Sequence, residues 1–231
     1  MTGDPLSLIV EASRRMSPTF LNYQIGSEIE LILYHLLRRL KDLYDEVFVI
    51  SFHDAYHFIV SYVSSVYPDG RDVFRPSHLI SVNPYLEEAL NPTMVIKVKD
   101  PEIIMGRIQS KLLSLDPDNG KRKLFIVLGL DLYGIRYREE LVQIVPMISR
   151  MLAKEEGSNV LVTFNVRAFP ETVSEIIDCF ALNVFRFAVE VKKRTIRRKL
   201  TVIRSPFIEY NLRSWYYTVT KEGINFELAE R

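Results

Sequence analysis

The chain is poor in cysteine, in glutamine and in net charge. A single cysteine, Cys179, in 231 residues excludes an intramolecular disulfide framework and any metal site built from several thiolates. It lies on the helical pattern PETVSEIIDCF with no histidine nearby in sequence to activate it, so a buried, small apolar side chain is expected rather than a nucleophile. Three glutamines (Gln24, Gln109, Gln143) beside many Glu, Lys and Arg form a composition that suits a thermophile. A net charge of +1 supplies no global field for nucleic acid or an anionic membrane surface. Long apolar runs are absent too. The opening stretch MTGDPLSLIVEASRRM is broken by Asp4, Pro5, Glu11, Arg14 and Arg15 before a bilayer-spanning length accumulates, so neither a signal peptide nor a membrane contact is expected, and a cytoplasmic location is.

What the sequence does contain is apolar content, 48% of residues against 26% charged, enough for one large α/β domain spanning 1–231. Strand-length apolar runs alternate with helical periodicity, the pattern of a mostly parallel sheet flanked by helices. The strands read TFLNYQ (19–24), VFVISF (47–52), TMVIKV (93–98), KLFIVLGL (123–130) and NVLVTFN (159–165). Helical stretches cover 27–42, 54–66, about 101–114, 137–155 and 170–180, with breakers at Tyr67-Pro68-Asp69-Gly70, Asn91-Pro92 and Asp116-Pro117-Asp118-Asn119-Gly120. After this core of about 17–182, NVFRFAVEV, RRKLTVIRS, WYYTVT and INFEL follow without helices, which predicts a C-terminal antiparallel extension over about 183–228 with a turn at Lys221-Glu222-Gly223.

The first strand runs through Gly26-Ser27 into a long amphipathic helix, the place where a phosphate cradle G-x-x-x-x-G-K-[ST] would stand. No lysine precedes Lys41, and Glu28, Ile29 and Glu30 follow the turn. Carboxylates there complement the helix dipole and take the place of an anionic ligand. Ser27 and Glu30 also fit an S-x-x-E capping box, with Ser27 as N-cap, a cap worth about 1 kcal/mol.

In its order of strands, helices and terminal antiparallel run, the chain resembles the RecA superfamily, and within it the archaeal KaiC-like and RadA-like branch. The resemblance spans about residues 17–228 and includes LTVIR (200–204) and YYTVTKEGINFE (216–227). It implies a RecA-like fold and marks a degenerate nucleotide site: Gly26, Ser27, Glu28 and Glu30 at the cradle position, His53 and Asp54 where relatives carry an acidic pair, Gly129 where they carry the Mg²⁺-associated Asp, and Asp131 two residues later. Arg204 matches a C-terminal lysine that in the family reaches a neighbouring subunit's nucleotide. With the cradle lysine missing, no hydrolysis, cofactor or metal is expected.

Three further patterns bear on function. His53 and His57 stand at i and i+4, as in H-E-x-x-H zinc helices, but Asp54 replaces the glutamate, His53 falls before the helix, and no third ligand follows by spacing. EVKKRTIRRKLTVIR (190–204) gathers Lys192, Lys193, Arg194, Arg197, Arg198 and Lys199, which could meet nucleic-acid phosphates or form a charged hairpin tip. The hairpin reading is favoured. Trp215-Tyr216-Tyr217 should alternate between core and surface rather than stack bases. The function expected is a non-catalytic protein-interaction or homo-oligomeric scaffold; the alternatives are a nucleic-acid-binding module built on 192–199, and residual nucleotide binding or a residual or altered nucleotidase using Asp54 and Asp131.

Overall fold

A computed structural model describes residues 4–85, 91–115, 120–153, 157–192 and 195–229. The elements run α1 (Pro5–Arg15), β1 (Thr19–Tyr23), α2 (Ile29–Leu40), β2 (Glu46–Phe52), α3 (Ala55–Val66), α4 (Gly70–Phe74), β3 (His78–Val82), β4 (Met94–Ile96), α5 (Pro101–Leu115), β5 (Lys123–Leu128), α6 (Leu130–Arg136), α7 (Arg138–Met151), β6 (Asn159–Asn165) and α8 (Glu171–Asp178). There follow β7 (Asn183–Lys192), β8 (Thr195–Arg204), β9 (Ser214–Val219) and β10 (Ile224–Leu228).

All ten strands join one sheet in the order β10-β9-β8-β7-β1-β6-β5-β2-β3-β4. From β7 through β4 the pairings are parallel, and β7 to β10 are antiparallel. The fold expected from sequence is therefore the fold observed, an α/β sheet with an antiparallel C-terminal extension. Four elements go beyond that expectation: α1, β3, α4 and α6. Helix α1 carries plain start signals, since Asp4 accepts from the Leu6 N–H at 3.1 Å and Pro5 occupies the first turn. Its Leu6, Ile9 and Ala12 belong to the core, so the packed unit begins well before residue 17. The turn at 116–119 lies outside the described residues.

Burial explains the layers. Central strands β2, β5 and β6 read as near-continuous apolar runs because helices cover both their faces. Helices α1 to α4 close one face and α5 to α8 the other, around separate clusters led by Leu21, Ile32 and Leu128 on one side and by Phe48, Phe125 and Phe164 on the other. The extension is covered on one face only, and its strands alternate accordingly: Trp215 and Tyr217 are buried while Tyr216 is half-buried opposite, as the alternation predicts.

Chain routing fixes where a site can form. Helices α2 and α3 follow β1 and β2 onto one face, whereas α6 and α8 follow β5 and β6 onto the other. Since β1 neighbours β6 and β2 neighbours β5, adjacent strands send their helices apart, and a crevice opens at their carboxyl ends.

Candidate functional site

Three helices begin at that crevice, and each starts from a left-handed residue: Glu28 (φ 58°) before α2, Asp54 (φ 61°) before α3 and Gly129 (φ 76°) before α6. None has a side-chain cap bond, whereas ordinary N-caps are extended. The Ser27–Glu30 capping box therefore does not form. The N–H of Ser27 turns back to the carbonyl of Gln24 at 3.0 Å, Glu28 takes the cap position, and the Ser27 hydroxyl is buried without a partner.

The β1–α2 loop is held from outside instead. Arg198 donates from Nε to the Gly26 carbonyl and from Nη2 to Glu28 Oε1, both at 2.8 Å. Tyr62 donates to the other Glu28 oxygen, Tyr217 donates to the Ser27 carbonyl at 2.6 Å, and Gln24 Oε1 accepts from the Val189 N–H at 3.0 Å. Where a phosphate cradle presents N–H groups, two carbonyls of this loop are occupied by side chains from β8 and β9.

At the end of β2 the two candidates bond the stretch that follows β3. Asp54 accepts from the Tyr85 N–H at 2.7 Å, and His53 Nδ1 bonds the Asn83 carbonyl at 3.0 Å with its ring stacked on Tyr85, 5.3 Å between centroids. Burial pushes the His53 pKa down. His57 sits on α3 with its ring 5.8 Å from that of Phe58. Among the described residues no group of three or more His, Cys, Asp and Glu could hold a metal ion.

Glu30, Gly129 and Asp131 do come together. They line a cleft of about 140 Å³ with Tyr23, Ile29, Leu33, Phe58 and Leu132. Small-molecule sites run to roughly 300–1,000 Å³, and a cavity of about 150 Å³ holds one benzene-sized group. The cleft falls below that range and is of a size to take a single small group. Tyr23 donates to Asp131 Oδ2 at 3.0 Å; burial raises the Asp131 pKa, and burial together with the nearby Glu28 charge raises that of Glu30.

A pH dependence follows. The folded pKa of Asp131 lies above the unfolded value, so its contribution favours the folded state while the carboxyl is protonated and turns unfavourable as pH rises through the folded pKa. Asp131→Asn, which cannot ionise, is expected to raise the thermal midpoint above neutrality and to gain least in mild acid. Thermal melts across pH check this; a variant that loses stability most at high pH contradicts it.

The basic stretch is partly spent inside the chain. Arg198 clamps the β1–α2 loop, Lys199 Nζ donates to Glu190 at 3.2 Å, and the Arg197 guanidinium lies 5.2 Å over the Tyr216 ring. Arg204 donates to the Ala181 carbonyl at 2.9 Å. Lys193, Arg194 and the side chain of Lys192 lie outside the described residues. Cys179 corrects its expectation: as C-cap of α8, following buried Ile177 and Asp178, it turns outward and is exposed. The roles of Tyr23, Tyr62 and Tyr217 had no local signal in the sequence, because each acts across more than a strand–helix unit.

No protein-family model matches the chain, and neither does any curated protein. Solved structures do. A KaiC-like protein, PH0186, from Pyrococcus horikoshii aligns over 90% of this chain and 88% of its own at 10% identity, with a TM-score of 0.61. The fold is KaiC-like. Two further P. horikoshii proteins align with this chain over most of their length: the uncharacterized PH0321, solved in complex with an unknown peptide (14% identity, 92% and 91% covered, TM-score 0.60), and PH0250 (12% identity, 88% and 95% covered, TM-score 0.60).

Proposed function

We propose that this chain is a RecA/KaiC-like ATPase homologue with a degenerate nucleotide site, which does not hydrolyse ATP and serves as a protein-interaction or oligomeric scaffold. The observation that carries this reading is the tied β1–α2 loop. Its carbonyls and Glu28 are engaged by Arg198, Tyr217 and Tyr62, it carries no lysine, and Glu30 and Asp131 bring negative charge to the adjoining cleft. Phosphate brought there meets like charge in a poorly solvated setting. The engagement of Arg198 and Lys199 leaves the nucleic-acid reading with less free positive charge than the sequence suggests. A peptide complex of the similarly folded PH0321 agrees with protein as the partner, and an archaeal, thermophilic origin belongs to the same reading.

Calorimetric titration with Mg-ATP is the direct check. No saturable heat is expected at millimolar nucleotide. A micromolar dissociation constant that survives physiological salt overturns the reading.

A further inference from the structure

Resting on that reading of the crevice as a protein rather than a nucleotide site, we propose that the cleft between α2, α3 and α6 takes the side chain of a lysine presented by a partner protein.

The argument begins with charge. Asp131 is 4% exposed, and its side-chain partner is a neutral tyrosine hydroxyl. Glu30 lines the same cleft, and among the described residues no ion pair reaches either carboxylate; Arg198, which holds the adjoining β1–α2 loop, is spent on Glu28 and Gly26. A buried Asp131 and a half-buried Glu30 without a cation are costly, and an ammonium group brought into the cleft offsets the cost with charge-assisted hydrogen bonds. Burial raises the pKa of both groups, and the Glu28 charge adds to the rise at Glu30.

Shape narrows the cation further. The walls above the carboxylates are Ile29, Leu33, Phe58 and Leu132, suited to an aliphatic stem with a charged tip. Room for one benzene-sized group matches one side chain. The location agrees, because carboxyl ends of strands at a topological switch point are where ligands of open α/β sheets bind.

The rim points to a protein as the source. Phe58, which lines the cleft, is 60% exposed, and neighbouring elements carry further exposed apolar side chains, Ile135 on α6 at 65% and Ile25 on the β1–α2 loop at 84%. A free amine leaves these side chains in water. A protein surface that delivers the lysine covers them.

The test is a chemical-shift titration of the full chain with acetyl-Leu-Lys-Leu-amide, using acetyl-Leu-norleucine-Leu-amide as the uncharged match. Saturable shifts at Ile29, Leu33, Phe58 and Leu132 are expected with the lysine peptide, with at least about tenfold weaker binding of the norleucine peptide. Glu30→Gln and Asp131→Asn, near-isosteric and checked for folding by their thermal midpoints, should each remove most of that preference, and Phe58→Ala on the exposed rim should weaken the peptide without altering the fold. Equal binding of both peptides, or no shift with either, overturns the proposal. So does tighter binding of spermidine, which makes the ligand a free amine, or the same shifts with Mg²⁺ alone, which makes it a cation site. Shifts that grow with protein concentration in the absence of peptide place a second copy in the cleft and also overturn it. Failure here leaves the scaffold reading standing if Mg-ATP still does not bind, whereas saturable Mg-ATP binding removes both.

Discussion

Gly129→Ala is expected to cost about 2–5 kcal/mol, combining about 1–2 for a left-handed non-glycine residue with about 1–3 for forced overpacking. The glycine has φ 76°, and a Cβ there would stand 2.5 Å from the Phe52 carbonyl oxygen and 2.7 Å from the Ala55 Cβ. Neither neighbour can yield cheaply. Phe52 ends the central strand β2 and is fully buried, while Ala55 opens α3, so relief requires moving a strand end or a helix start. Gly106 on α5 is the internal control, because a Cβ there meets nothing within 4 Å and alanine in a helix interior should stabilise by roughly 0.5–1 kcal/mol. Urea midpoints of the two variants, with slopes compared, give the answer. An unchanged midpoint for Gly129→Ala shows that β2, α3 and α6 do not meet as closely as described.

Trp215→Ala is expected to destabilise by about 3–5 kcal/mol and to do so in one transition. Trp215 sits on β9, 6% exposed, in the same apolar cluster as Leu21 on β1 and Leu37 on α2. Tyr217 two residues on donates to the Ser27 carbonyl, and Tyr67 donates to the Thr220 carbonyl at 2.9 Å, so the extension is laced to the parallel core on one side. We read core and extension as a single domain on this basis. In the wild-type chain, whose one tryptophan is Trp215, fluorescence follows the surroundings of β9 while circular dichroism follows the whole; the variant is followed by circular dichroism. Coincident urea transitions by the two probes support one cooperative unit. A fluorescence transition that precedes the loss of helix shows that the extension unfolds by itself, and the single-domain reading then fails.

Much of the fold was legible because its signals are local. β6 occupies 159–165 as its apolar run predicts, and the four C-terminal strands follow alternation and turn residues. The site was legible only in part. That Ser27 would not cap α2 depends on Glu28 adopting a left-handed conformation, and the residue that holds Glu28 there is Arg198, 170 positions away. The Tyr23–Asp131 bond likewise spans 108 positions. In sequence, Arg198 reads as one cation in a basic run; only the pairing of β8 with β7 and β9 carries it to the β1–α2 loop. β3 escapes for a different reason. Its five residues, HLISV, mix polar and apolar positions too briefly to establish a period.

The placement of β1 bears on how the chain must be made. Thr19 pairs with Leu161 on one side and Asn183 on the other, so β1 is flanked by two strands that are synthesised after it. At translation rates of about 5–20 residues per second, roughly 140 residues of synthesis leave that strand without a partner for about 7–28 s. During that interval Phe20 and Leu21, fully enclosed in the finished protein, remain available to chaperones and to other nascent chains. A product truncated before β6 lacks both strands that flank β1 in the finished sheet.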